Sequence, residues 1–262
     1  METQVDRKRI TCPEVTVAPL RREKNIPIFN SQGLRQDNRD GHTLRPLFVR
    51  TSVIDSASGS AYLECGNTKI SCAVYCFLFC KIRQGPKQNL KTDTFEDYAT
   101  LYCELKFAPY SCENKRSHQP DEEEKEYSKF IEDALKSCIR LDMFPKSMID
   151  IYITVLENDG AVLENAITCA SLALMDAGID MIDMLIGSTV NFVENQIIVD
   201  ATCYEEKKSI GQLSIAYLPN MNEIATVNFK GHVDANIVAN ALQAGMDSCS
   251  QVYTNIRQSL SL

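Results

Sequence analysis

Apolar and polar residues alternate from 98 to 107: Ala99, Leu101, Cys103, Leu105 and Phe107 fall on one side, and Tyr98, Thr100, Tyr102, Glu104 and Lys106 on the other. A period of two predicts a half-buried strand, whose successive side chains point to opposite faces. The same period returns at Ile149, Ile151, Ile153 and Val155. Between these runs the spacing changes. After a polar loop at 108–121, Asp121 opens a stretch in which Tyr127, Ile131, Ala134, Leu135 and Cys138 recur every three or four positions. That spacing predicts a helix closed before Pro145. Glu122, Glu123 and Glu124 suit the positive end of its dipole.

Upstream, Leu47, Val49 and the stretch from Ser60 to Leu63 predict strands. Gly66-Asn67, before the apolar run from Ile70 to Phe79, predicts a hairpin, since both residues tolerate positive φ. Residues 81–97 read as a loop around Gly85-Pro86. Residues 1–40 mix Pro, Asn, Gln and Arg without a period and read as an extended arm before a domain at 41–262. Downstream, Asn158-Asp159-Gly160 is a turn signal, and Glu164 to Ala177 predicts a helix rich in small residues, closed by Gly178. Ala166, Ala170, Ala173 and Ala177 imply close packing on a sheet. Strands follow at 182–193, 196–200, 212–218 and 223–229, with Glu194-Asn195 as a tight turn and Pro219 interrupting the last pair. A final helix carries the stripe Val238, Leu242, Gly245, Cys249, Val252, Ile256 and Leu260. Strands, helix, strand, helix, strands, helix predict an α+β fold of mixed sheets with packed helices. With 262 residues, 44% of them apolar, one domain with a sizeable core is expected.

Charge narrows the function classes. Lysine and arginine total 27 against 35 acids, a net charge of −8, so capture of polyanions by the whole surface is excluded and any RNA contact needs a local basic patch. Lys81, Arg83, Lys87 and Lys91 form one such patch; an ordinary solvated loop explains them equally well. The longest apolar run is far short of the roughly 20 residues that span a bilayer, and the charged stretch from Met1 to Arg9 lacks the apolar core of a secretory leader. No membrane partner is expected. Eleven cysteines, an odd number with no C-x-x-C pair, read as reduced thiols. Cys72, Cys76 and Cys80 would lie about 13 Å apart along a strand, too far to close on one ion. No metal and no cofactor are expected. His42, His118 and His232 read as surface residues, and no Gly-rich nucleotide loop is present.

Three stretches carry a family resemblance: Leu44-Arg45-Pro46 with Gly59 to Lys69, Ala173 to Ile179, and Leu218-Pro219-x-x-Asn222-Glu223-Ile224 before the long last helix. Together they resemble the RNase PH superfamily over about residues 40–260. The implied fold is RNase PH-like (ribosomal protein S5 domain 2-like). Within it the chain resembles the RNase PH-like ring subunits of the eukaryotic RNA exosome, the class named after an mRNA-transport mutant. Asp40-Gly41 is followed by His42 where the family element ends in Arg, a departure that favours this branch.

The resemblance also assigns positions. Phosphorolysis of RNA needs cations for inorganic phosphate, acids for a magnesium ion or a proton, and arginines that grip the RNA backbone. The phosphate-holding arginine of active members falls on Leu163, a hydrocarbon that reads as packing under the helix start. Two catalytic acids fall on Asp200 and Glu206, and a further acid on Gln212. Taken alone, Glu205-Glu206-Lys207-Lys208 reads as a solvated loop. The RNA-gripping arginines fall on Glu122 and Glu123, which would repel phosphate. The implied protein is a catalytically inactive subunit that assembles with other RNase PH-like ring subunits and cap proteins and lines a channel for RNA. Its expected location is nucleus and nucleolus, also cytoplasm. An active phosphorolytic 3′-5′ exoribonuclease is the alternative from the enzyme class, and an RNA-binding module acting alone conflicts with the net charge.

Overall fold

The computed structural model describes residues 27–30, 33–77, 98–113, 115–117, 119, 121–145, 147–193, 196–233 and 235–260. Lys81, Arg83, Lys87, Lys91, Cys80, His118 and the Glu194-Asn195 turn lie outside the described residues, as does most of the segment read as an arm.

The alternating run at 98–107 is strand β4 (Thr100–Phe107), numbered after β1 (Leu47–Thr51), β2 (Gly59–Cys65) and β3 (Thr68–Phe77). Leu101, Cys103, Leu105 and Phe107 are buried while Tyr102 and Lys106 are exposed, as the period of two requires. Helix α1 (Glu122–Cys138) follows from its N-cap Asp121 and buries Ile131, Ala134, Leu135 and Cys138. Each such large apolar side chain contributes about 1.5–3 kcal/mol on leaving water. The chain then returns as β5 (Met148–Glu157), which pairs in parallel with β4 and antiparallel with β3. A parallel pair needs a long crossover, and α1 supplies it. The first sheet has the order β1-β2-β3-β5-β4.

Helix α2 (Val162–Asp176) is the centre of the molecule. Every residue from Val162 to Leu174 is buried, so this helix meets solvent only at its last residues, where Met175 is exposed. Its small side chains let both sheets approach its backbone. A Cβ on Gly59 of β2 would lie 2.3 Å from the Ala177 nitrogen, and one on Gly187 would lie 2.5 Å from the Glu164 Cα. Gly187 belongs to β6 (Ile186–Val193), the middle of a second sheet with β7 (Gln196–Val199), β8 (Gly211–Leu218) and β9 (Glu223–Gly231) in the order β7-β6-β8-β9. The two glycines clamp opposite ends of the same helix, one from each sheet.

Helix α3 (Cys203–Lys208) links β7 to β8, and helix α4 (Ala235–Leu260) covers the outer face of the second sheet. No described helix is long and apolar enough to cross a membrane. His42 and His232 are exposed, and the described cysteines are all unpaired thiols.

Three expectations need correction. The strand read at 182–193 begins at Ile186, because the Asp183 carboxylate is engaged by the nitrogens of Met184, Asn220 and Met221. The stripe of α4 stops at Ile256: Leu260 is 44% exposed, and Ala241 and Ser248 take buried positions instead. The charged stretch 205–208 is helix rather than solvated loop. Ile28 and Arg35, within the segment read as an arm, are buried.

Candidate functional site

Three segments converge where α2 begins. The turn Asn158-Asp159-Gly160 leads in from β5; the Asn158 side chain accepts the Gly160 N–H at 2.9 Å, and Thr68 Oγ1 donates to the Gly160 carbonyl at 2.9 Å. Gly160 sits at φ 87°, and a Cβ there would meet the Ala201 carbonyl and the Cys203 nitrogen at 2.6 Å. Only glycine fits both the conformation and the space. Ala161, the N-cap of α2, is left-handed at φ 56° and offers no side-chain cap. The first turn of a fully buried helix therefore looks elsewhere for acceptors.

Helix α3 answers. Its capping box, Thr202 with Glu205, fixes the turn, and the Thr202 N–H donates to Glu205 Oε2 at 2.8 Å. One residue further on, Glu206 Oε1 accepts the Ala161 N–H at 2.7 Å. A carboxylate of the chain itself thus sits where the backbone amide and dipole of a helix start attract an anion. Burial pushes the Glu206 carboxyl up to about 7, against the opposing pull of the Ala161 N–H and Arg45.

Asp200, at the end of β7, is held differently. It is 2% exposed and left-handed at φ 52°. Its Oδ2 accepts the Arg45 backbone N–H at 2.7 Å, and its Oδ1 accepts Arg45 Nε at 2.9 Å and Nη2 at 2.5 Å. Burial alone would raise its pKa, but the Arg45 charge and these hydrogen bonds outweigh it and hold the carboxyl below its ordinary range. Arg45 Nη1 donates to the Asp159 carbonyl at 3.1 Å, which ties the pair to the turn before α2. Arg35 is fully buried and donates to the carbonyls of Val199 at 2.6 Å and Asp200 at 3.2 Å, with Glu205 Oε2 at 3.8 Å. Burial lowers its pKa to about 10, so it stays cationic at neutral pH. Arg39 adds a third charge 3.8 Å from Asp200.

Glu164, in the first turn of α2, is buried and accepts the Thr189 N–H. Burial first, and then the Asp200 charge, push its pKa well above the usual carboxylate range. Leu163 beside it is 4% exposed and packs into the core. Glu122 is exposed on α1, and Glu123 pairs with Arg116 at 2.8 Å. Arg116 in turn lies 4.0 Å over the Phe107 ring. Gln212 sits on β8 between Asn191 of β6 and Lys230 of β9, and among the described residues no hydrogen bond joins it to Asp200 or Glu206.

The fold therefore brings Leu163, Asp200 and Glu206 to one end of α2 and leaves Glu122 and Gln212 apart. Among the described residues, Arg35, Arg39, Arg45 and Arg116 each already hold a carboxylate or a carbonyl. The sequence reading missed the first three of these arginines and Glu164. Arg45 stood in a motif that was noticed, but nothing local marks it as the partner of a residue 155 positions away.

Comparison with known proteins follows the same outline. Residues 43–180 match the model of the 3′ exoribonuclease family, domain 1 (RNase PH). The chain is 31% identical over 242 residues to exosome complex component Rrp41 of Pyrococcus horikoshii, covering 92% of this chain and 94% of that one. It is 35% identical over 232 residues to exosome complex component mtr3 of Schizosaccharomyces pombe, covering 86% and 84%. Among solved structures, rice Rrp46 superposes with a TM-score of 0.72 at 24% identity, over 86% of this chain and all of that one. The Archaeoglobus fulgidus exosome with RNA bound to the active site gives 0.73 at 18% identity, over 86% and 93%. At these identities the two superpositions establish the fold.

Proposed function

Given that the chain belongs to the 3′ exoribonuclease (RNase PH) family, we propose that it is a ring subunit of an RNA exosome that supports 3′-to-5′ RNA processing and decay by assembling and lining the RNA channel, without itself performing phosphorolysis. The observation that carries this reading is the Glu206 carboxylate on the Ala161 N–H. An attacking phosphate needs that helix start and a cation beside it; here an internal carboxylate holds the amide and Leu163 takes the position that the family resemblance gives to an arginine. Asp200, the second acid, is committed to Arg45. Phosphoryl-transfer catalysis consists mostly of electrostatic stabilisation, and this arrangement opposes it.

The partners under this reading are other RNase PH-like ring subunits, cap proteins and RNA in the channel, in nucleus, nucleolus and cytoplasm. Lys81, Arg83, Lys87 and Lys91 are the residues proposed to touch RNA phosphates, in a sequence-independent and salt-sensitive way. The test is incubation of the purified chain, and of the reconstituted ring, with single-stranded RNA, magnesium and inorganic phosphate. No nucleoside diphosphate is expected from the chain alone, nor any from the ring that Asp200→Asn would remove.

A second reading, an active phosphorolytic exoribonuclease, is favoured by one observation. Asp200 and Glu206 are both acids, and a carboxyl near 7 is suited to proton transfer at neutral pH. Diphosphate release abolished by Asp200→Asn would establish it in place of the first.

A further inference from the structure

Helix α2 carries polar side chains although protein surrounds it, and three of them take over the edge of β6. Strand β7 pairs with β6 only from Val190 onward. Before that point the Leu185 N–H donates to Ser171 Oγ at 3.0 Å, the Gly187 N–H to Thr168 Oγ1 at 3.1 Å, and the Thr189 N–H to Glu164 Oε2. The acceptors stand at i, i+4 and i+7 on one helix face, so α2 does for this stretch what a neighbouring strand would do. A hydroxyl suits such a place because it can accept and donate at once, and Thr168 passes its own proton to the Glu164 carbonyl at 2.9 Å. The place next to Thr189 is held by a carboxyl, which has a second oxygen to satisfy.

Glu164 also lines a cavity of about 30 Å³ where α2, β6, α4 and residues 44–47 meet. Asn165, Ser188, Ser248, Asp200 and Arg45 share its wall. Asn165 donates through Nδ2 to the Ala161 carbonyl at 2.7 Å and keeps Oδ1 as an acceptor. Ser248 donates to the Gly245 carbonyl at 2.7 Å, so at 2.5 Å it accepts from Ser188, whose Oγ retains a lone pair. The Asp200 oxygens are taken by Arg45. Among the described residues the Glu164 carboxyl makes no hydrogen bond beyond that to Thr189.

The groups around Glu164 decide its charge. Arg45, the cation that faces it, is already held by Asp200. Cys65 of β2 and Cys249 of α4 face it as thiols that burial keeps protonated. A carboxyl desolvated to this degree, with an acid beside it, keeps its proton. A buried O–H without an acceptor is costly, so that proton calls for a partner.

We infer that the cavity is an internal site for an ordered water molecule, which accepts the Glu164 proton and donates to Asn165 Oδ1 and Ser188 Oγ, adding a second polar link between α2 and β6. Three hydrogen bonds are the usual complement of a buried water, which needs about 10–15 Å³ of such space. The volume is too small for a phosphate or a nucleotide, and two carboxyl groups on the wall select against an anion. With the water bound, a neutral Glu164 sits beside the Asp200–Arg45 pair without adding charge to it.

The test uses the full chain. A crystal structure is expected to show a density peak within hydrogen-bond distance of the Glu164 carboxyl, Asn165 Oδ1 and Ser188 Oγ, while oxygen-17 relaxation dispersion counts long-lived waters in solution. Ser248→Thr keeps the hydroxyl and adds a methyl group to the wall, and it is expected to lose one long-lived water. Glu164→Gln, uncharged and of the same shape, is expected to keep the water and to remove one protonated-carboxyl C=O band from the infrared spectrum at neutral pH. An empty cavity, a metal ion in it, or an equal count of long-lived waters in Ser248→Thr overturns the inference. So does an infrared difference that reveals a carboxylate at Glu164 in place of the protonated band. Should Ser248→Thr fail to fold, the crystal structure and the Glu164→Gln spectrum decide the matter.

Discussion

Asp200 and Glu206 are six residues apart and belong to the same end of α2, yet the fold treats them in opposite ways. Asp200 receives an arginine side chain and backbone amide at once and is held ionised. Glu206 receives one backbone N–H and is pushed towards neutrality by burial. The difference shows that a retained acid keeps or loses a chemical role according to what the tertiary structure places against it. At the Asp200 pole the charge holds residues 35–45 to β7. At the Glu206 pole the carboxylate closes a helix start that the chain leaves uncapped.

The sharpest way to break the comparison is Arg45→Met. It removes the closest of Asp200's counter-charges and the hydrogen bonds from its side chain, leaving Arg39 at 3.8 Å, and loss of about 3 kcal/mol is expected in urea denaturation. Arg45→Met with Asp200→Asn should recover part of that loss, because asparagine removes the stranded charge while it tolerates the φ of 52° and keeps an acceptor for the backbone N–H of position 45; a double substitution no more stable than the single one would contradict the pairing.

Titration separates the two acids next. Glu206 has its folded pKa near 7 and an unfolded value of 4.5. Below 4.5 both states hold the proton; as pH rises towards 7 the unfolded chain releases it first, so stability falls across that window. The loss is about 2 kcal/mol once solvent screening of this half-buried group is allowed for. Glu206→Gln should remove that fall relative to the unsubstituted chain, with Glu164 contributing equally to both. Asp200 has the reverse sign: its depressed pKa contributes stability above its unfolded value of 3.8, and that contribution is lost as pH falls through the folded value. Denaturation midpoints from pH 3 to 8 measure both slopes, and a rise in stability between 4.5 and 7 specific to Glu206 would contradict its burial.

The smallest effect is expected from Thr202→Ala, which removes half of the capping box that sets α3. A loss of about 1 kcal/mol is expected by thermal melting. Because α3 carries Glu206, the pH slope assigned to that residue should shrink in the same variant.

Much of the fold was legible in the chain. Periods of two at 99–107 and 149–155 placed β4 and β5, the three-to-four spacing from Tyr127 to Cys138 placed α1, and alanines at 166, 170 and 173 implied a helix packed closely on a sheet. These signals are local because a strand or helix repeats its burial every two to four residues. The motifs around Arg45, Asp176 and Asn222 also carried the family resemblance; here Arg45 holds Asp200, Asp176 accepts the Ser60 N–H and Asn222 accepts the Tyr217 hydroxyl.

The candidate site was legible only as a set of positions. Sequence register named Leu163, Asp200 and Glu206, but it presented 205–208 as a solvated loop, because two acids followed by two lysines look the same whether water or a protein interior faces them. Tertiary structure alone decided that Arg45 reaches Asp200 across 155 positions, that Arg35 is fully buried, and that Glu206 turns inward to the Ala161 amide. The reason is physical. Apolar burial follows a short period along the chain, whereas the state of a charge depends on the desolvation and counter-charges around it, and those are supplied by segments that meet only when the two sheets close on α2.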